Sequence, residues 1–118
     1  MRTTATLLTL LALCLLSSSR VRADQPPRTI EVHAQRFDFA PAEITVKVGE
    51  PVHLRLFSDD VPHSLLIKGL GINQEVTKSH PVDVSFTPTQ AGDFQGRCGR
   101  FCGGGHGRMT FVVHVAGN

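Results

Sequence analysis

From Ile30 onward the sequence alternates apolar and polar residues with little interruption, a period of two that suits strands and leaves almost no room for helices. Ile30, Val32 and Ala34 alternate with Glu31, His33 and Gln35; Ile44, Val46 and Val48 with Thr45 and Lys47; Val52, Leu54 and Leu56 with His53 and Arg55. Val82, Val84 and Phe86 alternate with Asp83 and Ser85, a further run leads from Phe94 to Cys98, and Met109, Phe111, Val113 and Val115 close the pattern. Ser64 to Lys68 is a short apolar run, read as a buried strand. Gly49-Glu50-Pro51, Gly69-Leu70-Gly71, Pro88 and Gln90-Ala91-Gly92-Asp93 punctuate these segments. Short strands separated by turns about ten residues apart predict an all-β, antiparallel sandwich of about seven or eight strands. Phe37, Phe39, Phe57, Phe86, Phe94 and Phe111 are expected in its core.

The 118 residues suffice for one domain, expected over 30–118 behind a loose tail at 24–29. Residues 1–23 read as a cleaved signal peptide. Arg2 provides the positive n-region, Ala5 to Leu16 an apolar stretch too short to span a bilayer comfortably, and Val21-Arg22-Ala23 a small-x-small cleavage site. An uncleaved leader would instead anchor the chain to the membrane. Leu11-Ala12-Leu13-Cys14 has too large a residue before its cysteine for a lipoprotein signal. The expectation is an exported, periplasmic or otherwise extracytoplasmic protein. Loss of Arg2, Arg20 and Arg22 leaves nine basic residues against ten acidic ones, so the formal charge of +2 becomes −1 and offers no basic field for nucleic acid. Cys14 leaves with the leader; Cys98 and Cys102 remain and could form a disulfide in an oxidising compartment.

A bare disulfide leaves the surroundings of those cysteines unexplained. Cys98-Gly99-Arg100-Phe101-Cys102-Gly103-Gly104-Gly105-His106-Gly107-Arg108-Met109 gathers two thiols, an imidazole and a thioether between five glycines. A thioether argues against zinc, and iron–sulfur clusters need four cysteines or two Cys and two His on separate loops. Soft sulfur with imidazole suits copper. One Cys, two His and a Met would make a mononuclear blue-copper site, but Cys98 would then have no role. Two thiolates bridging two coppers, each with one histidine, use every donor. Met109 and a backbone carbonyl within the Cys-x3-Cys turn then serve as weak ligands. The second histidine is His63, in Ser58-Asp59-Asp60-Val61-Pro62-His63-Ser64.

This loop resembles the metal loop of the CuA domain found in cytochrome c oxidase subunit II and nitrous oxide reductase. Asp60-Val61-Pro62-His63-Ser64 is similar to that family's upstream histidine segment, and Leu70-Gly71-Ile72-Asn73 and Ala91-Gly92-Asp93-Phe94 to its intervening stretches. The resemblance covers roughly residues 30 to 116. It implies a cupredoxin-like Greek-key sandwich carrying a mixed-valence dicopper electron-transfer centre. Cys98 and Cys102 would be bridging thiolates, His63 and His106 terminal imidazoles, Met109 the thioether ligand and Arg100 the source of the carbonyl ligand. Arg100 stands where the oxidase subunit often has a glutamate, so a magnesium contact is not expected. The chain has no Trp or Tyr for the oxidase's aromatic electron-entry site, and no pair of transmembrane helices precedes the domain. Together these predict a stand-alone soluble electron carrier rather than an enzyme, with a role as accessory to a terminal oxidase or reductase left open.

Expected partners are redox proteins, a cytochrome c-like donor or an oxidase or reductase acceptor, meeting a monomer. A mononuclear blue-copper carrier, or a protein that delivers or sequesters copper with the same donors, are the alternatives. His33, His53 and His114 fall on the polar phase of their strands and His80 precedes Pro81 in a loop, so none is expected to ligate metal. Phe101 could shield the metal from water. Arg97, Arg100 and Arg108 are either solvated loop ends or a positive rim that orients an acidic partner.

Overall fold

The structure, a computed structural model, describes residues 26–117. The leader expected over 1–23, its Cys14 and the first two residues of the expected tail lie outside them. Nine strands are described: β1 (Arg28–Gln35), β2 (Asp38–Ala40), β3 (Glu43–Lys47), β4 (Val52–Ser58), β5 (His63–Ile67), β6 (Ile72–Val76), β7 (Val82–Phe86), β8 (Gly92–Cys98) and β9 (Thr110–Ala116). They form a four-stranded sheet in the order β2-β1-β4-β7 and a five-stranded sheet in the order β3-β9-β8-β5-β6. The only helical pieces among the described residues are single 3-10 turns at Lys68–Leu70 and His106–Arg108. The fold is an all-β, cupredoxin-like sandwich.

Alternation explains the core. Val32 and Ala34 of β1, Leu54 and Leu56 of β4, Leu65 and Ile67 of β5, and Phe111 and Val113 of β9 are all buried in one cluster. Full burial of each of these side chains other than Ala34 contributes about 1.5–3 kcal/mol. Phe39 and Phe111 are buried and meet edge to face with centroids 5.8 Å apart. Phe37, Phe86 and Phe94 are partly buried against this core.

The structure differs from the sequence reading in four places. The sheets are mixed: β1 runs parallel to β4 from Arg28↔Val52, and β3 runs parallel to β9 from Glu43↔Val112. Parallel neighbours need a crossover, which the chain provides by passing through the opposite sheet between them. β2 and β6 have no alternating signature. β2 has three residues, and β6 is an edge strand whose buried Ile72 and Val76 are separated by Asn73-Gln74-Glu75. β1 starts at Arg28, whose N–H donates to the Pro51 carbonyl at 3.1 Å, so Arg28 and Thr29 of the expected tail are in the sheet. Phe57 is not a core residue. It falls on the outward phase of β4 and stacks on the His33 ring at 4.8 Å.

The outward histidines are each tied to carboxylates: His33 to Asp59, His53 to Asp83, and His114 to both Asp93 (2.7 Å) and Glu43 (3.1 Å). His114 thus joins β9 to β8 on one side and β3 on the other. Asp93 first, then Glu43, raise its pKa above the ordinary 6.5. A raised native pKa gives stability that is complete below the unfolded value and fades as pH rises through the native one. The unfolding midpoint in urea should therefore fall between about pH 6 and about pH 8 by more in the native sequence than in His114→Gln. Equal falls would remove His114 from the account.

Candidate metal centre

Strand pairing brings the two donor segments to one pole of the sandwich. β5 starts at His63 and pairs with β8 so that Leu65 lies opposite Cys98. Cys98 ends β8, Met109 immediately precedes β9, and the Cys98 N–H donates to the Met109 carbonyl at 3.0 Å, clasping the base of the loop. The Gly99 N–H reaches the Ser64 carbonyl (3.2 Å) and hydroxyl (3.0 Å), which locks the start of the loop beside His63. Within the loop the 3-10 turn at His106–Arg108 is closed by bonds from the His106 N–H to the Gly103 carbonyl and from the Met109 N–H to the His106 carbonyl. That turn aims the side chains of His106 and Met109 back at Cys102.

Two glycines make the turn feasible. Gly103 has φ 139°, a conformation side chains rarely adopt. Gly105 packs so closely on the Phe37 ring that a Cβ there would collide with it.

The donor atoms converge. His63 Nδ1, Cys98 Sγ and Cys102 Sγ all lie within 4.8 Å of one another. Cys98 Sγ is 3.9 Å from His63 Nδ1 and donates to the Arg100 carbonyl at 3.0 Å. Cys102 Sγ is 3.7 Å from His106 Nδ1 and 3.8 Å from Met109 Sδ. Each sulfur therefore has an imidazole nitrogen of its own. His63, Cys98 and Met109 are fully buried, Cys102 nearly so, and His106 is half-buried. Both cysteines are free thiols. Metal bonds of about 2.3 Å to sulfur and about 2.0 Å to imidazole put two donors on one ion about 3.5 Å apart at a tetrahedral angle. The spacings here match a metal site before any rearrangement.

The environment prepares the donors. Asp60 Oδ1 lies 2.7 Å from His63 Nε2. A carboxylate only accepts, so Nε2 carries the proton and the lone pair of Nδ1 faces the thiols. Burial pushes the Asp60 carboxyl up, but donation from the Arg36 N–H, His63 and the Val61 N–H outweighs it and holds the pKa at about 2. Burial, followed by the adjacent Cys98, pushes the Cys102 thiol up to about 11, so a metal has to displace its proton on entry.

Two residues at the β1–β2 turn belong to the site although the sequence does not point to them. Arg36 Nε donates to the Cys102 carbonyl at 2.8 Å, and the Arg36 N–H donates to Asp60 Oδ2 at 2.8 Å. Phe37 lies under Gly103 and Gly105, with the Arg108 guanidinium 5.4 Å from its ring centre. Nothing in local spacing marks Arg36 or Phe37. Asp60, three residues before His63, carries a usable signal, since ligand histidines are commonly backed by carboxylates. Phe101 does not cover the donors: its side chain is turned outward and 76% exposed, beside His106.

Comparison with known proteins follows the same lines. Residues 6–111 match the family model of the cupredoxin-like domain. The chain belongs to that family. This cupredoxin-like domain is 32% identical over 87 residues to cytochrome c oxidase subunit 2 of Thermus thermophilus, an alignment covering 74% of the chain and 64% of that relative's length. The chain thus spans less than two thirds of the relative. Its fold superposes with a TM-score of 0.70 on the periplasmic domain of subunit II of cytochrome oxidase from Bradyrhizobium japonicum, at 16% identity, covering 76% of the chain and 84% of that structure. Auracyanin A, a blue copper protein from Chloroflexus aurantiacus, superposes with a TM-score of 0.64 at 18% identity, covering 77% of the cupredoxin-like domain and all of auracyanin.

Proposed function

We propose that this cupredoxin-like domain is a one-electron carrier that holds two copper ions between the thiolates of Cys98 and Cys102. His63 and His106 would be the terminal imidazoles, and Met109 and the Arg100 carbonyl the weak ligands. The observation that carries this reading is the pairing of each sulfur with its own imidazole nitrogen, His63 with Cys98 and His106 with Cys102. The likeness to a cytochrome c oxidase subunit 2 supports it.

A bound copper pair supplies reversible one-electron chemistry and calls for no substrate site. The chain supplies fixed geometry. Asp60 orients His63 through Nε2, Arg36 holds the Cys102 carbonyl, and the Cys98–Met109 backbone bond fixes the width of the loop. Burial of His63, Cys98 and Met109 excludes water, while the half-buried His106 provides a route to the surface. The proposed setting is extracytoplasmic, with residues 1–23 removed as a leader and the domain over 30–118 acting as a monomer. Among the described residues, no helix is long and apolar enough to cross a membrane.

Copper-loaded protein is expected to hold two coppers per chain, with a paramagnetic resonance spectrum of one unpaired electron shared by two copper nuclei. One copper per chain with a single-thiolate charge-transfer band would replace this reading with a mononuclear blue site. The compact set of Cys102, His106 and Met109 is the observation favouring that second reading. Bound copper that stays Cu(I) and passes no electrons would leave copper delivery.

A further inference from the structure

We propose that Arg36 is a positioning residue for the metal centre: its backbone holds the carboxylate behind His63, its guanidinium holds the peptide of Cys102, and its charge favours the reduced state of the centre. The proposal rests on the electron-carrier reading above. Arg36 lies in the turn between β1 and β2, and neither strand carries a donor. Its N–H donates to Asp60 Oδ2 at 2.8 Å, while Oδ1 of the same carboxylate accepts from His63 Nε2 at 2.7 Å. Its Nε donates to the Cys102 carbonyl at 2.8 Å. The two donor segments are tied directly at the Cys98 end of the loop, where Gly99 bonds to Ser64 and Leu65 lies opposite Cys98. Arg36 supplies a tie at the Cys102 end, reaching from Asp60 to the second sulfur's own peptide.

The turn is seated on the loop rather than passing near it. A Cβ at Gly103 would come 2.9 Å from the Phe37 ring and 3.5 Å from Arg36 Nε, so the glycine leaves the space that the turn fills. Among the described residues the Arg36 guanidinium pairs with no carboxylate, and the Cys102 carbonyl is its one hydrogen-bond partner. A guanidinium stays charged at any pH the protein meets. Its charge and its directional bond have separate effects. Reduction adds an electron to the centre, whether it holds one copper or two, so a fixed cation beside it stabilises the reduced form. Arg36 is exposed overall, and solvent screening limits that effect to about threefold in the redox equilibrium. The bond fixes the peptide from which the Cys102 sulfur hangs. Partners that orient metal ligands in this way are commonly worth 10- to 100-fold in metal affinity, roughly, and a single bond to a ligand's carbonyl belongs at the lower end.

The test is a set of substitutions at this one position in the copper-loaded protein. Each keeps the backbone N–H that holds Asp60, so only the side chain's part is removed. Spectroelectrochemical titration reads the charge: one electron passes from the electrode to the copper centre, with no bond made or broken. At a fixed electrode potential, Arg36→Met should raise the ratio of oxidised to reduced protein about threefold. Arg36→Gln, which keeps a donor without the charge, should do the same, and Arg36→Lys, which keeps the charge, should restore the native ratio. Competition with a Cu(I) chelator reads the bond: Arg36→Met should hold copper about tenfold less tightly. Lys47→Met, at the end of β3 away from the loop, should change neither readout. A ratio unmoved by Arg36→Met, equal shifts in Arg36→Met and Arg36→Lys, or undiminished copper retention in Arg36→Met would overturn the proposal. So would a lower melting temperature of metal-free Arg36→Met with the ratio unchanged, the mark of a purely structural role. The copper spectrum of the native sequence keeps the readings apart. A mononuclear spectrum with the expected shifts sinks only the binuclear centre, since Cys102 is a donor in both, and a binuclear spectrum without the shifts sinks only the role of Arg36. Copper that stays Cu(I) and passes no electrons sinks the carrier reading, and chelator competition then decides whether Arg36 positions Cys102.

Discussion

Cys98→Ser is expected to abolish the proposed binuclear centre completely. Metal content should fall below two coppers per chain, and the spectrum of an electron shared between two coppers should disappear. The reason is local. Cys98 is fully buried, its sulfur faces His63 Nδ1 at 3.9 Å, and its S–H donates to the Arg100 carbonyl. Serine nearly matches its volume and can keep that last bond, so the fold should persist while a soft bridging donor becomes a hard, non-bridging one. Metal analysis, paramagnetic resonance and the visible spectrum check this together. A thiolate-to-copper band of undiminished strength in Cys98→Ser would mean that Cys102 alone defines the site, which is the mononuclear reading.

Phe111→Ala should cost about 3–5 kcal/mol, the largest effect expected of any single core substitution here. Phe111 is fully buried, packs edge to face with Phe39, and lies in β9 between the two sheet neighbours β3 and β8. Domains of this size are stable by about 5–15 kcal/mol, so the loss is a large share of the total. It should lower the melting temperature of the metal-free, reduced protein by on the order of 20 °C. Metal-free protein is the right comparison because bound copper adds its own stabilisation by mass action. Phe111 is two residues beyond Met109, so the same variant should also weaken copper retention. A loss below about 1 kcal/mol would mean the cavity collapses, and would refute the packing described for this strand.

Much of the fold was legible because alternation is a direct record of which strand face is buried. Val32, Leu54, Ile44 and Phe111 sit inward as their phase requires. Legibility failed where pairing rather than burial makes the strand. β2 buries one residue, and β6 buries only its ends. Neither leaves a period to read. The parallel pairs were hidden for a related reason: alternation records the face of a strand but not its neighbour or direction. Phe57 shows that hydrophobic type can mislead where phase does not. It occupies the outward phase of β4, and phase decided its place. The donor cluster was legible because the types Cys, His and Met are rarely gathered so tightly in sequence for structural reasons. Arg36 and Phe37 were not, since they lie 66 and 68 positions before the Cys102 and Gly105 they touch, and only the folded chain brings them there.

The parallel pairing of β3 with β9 has a consequence for the order of events in making the protein. β9 separates β3 from β8, so the five-stranded sheet is divided until residues 110–116 have emerged and taken their place. Such distant pairings cost loop-closure entropy before they return any contact energy, which makes them slow. His63 is made 35 residues ahead of Cys98, and Met109 is set only when β9 docks. An incomplete chain therefore can bring His63 and Cys98 together through β5 and β8 but leaves the loop unclosed at Met109. Metal capture becomes a late step that reports completed folding, and a chain stalled before β9 has little means of retaining a redox-active ion.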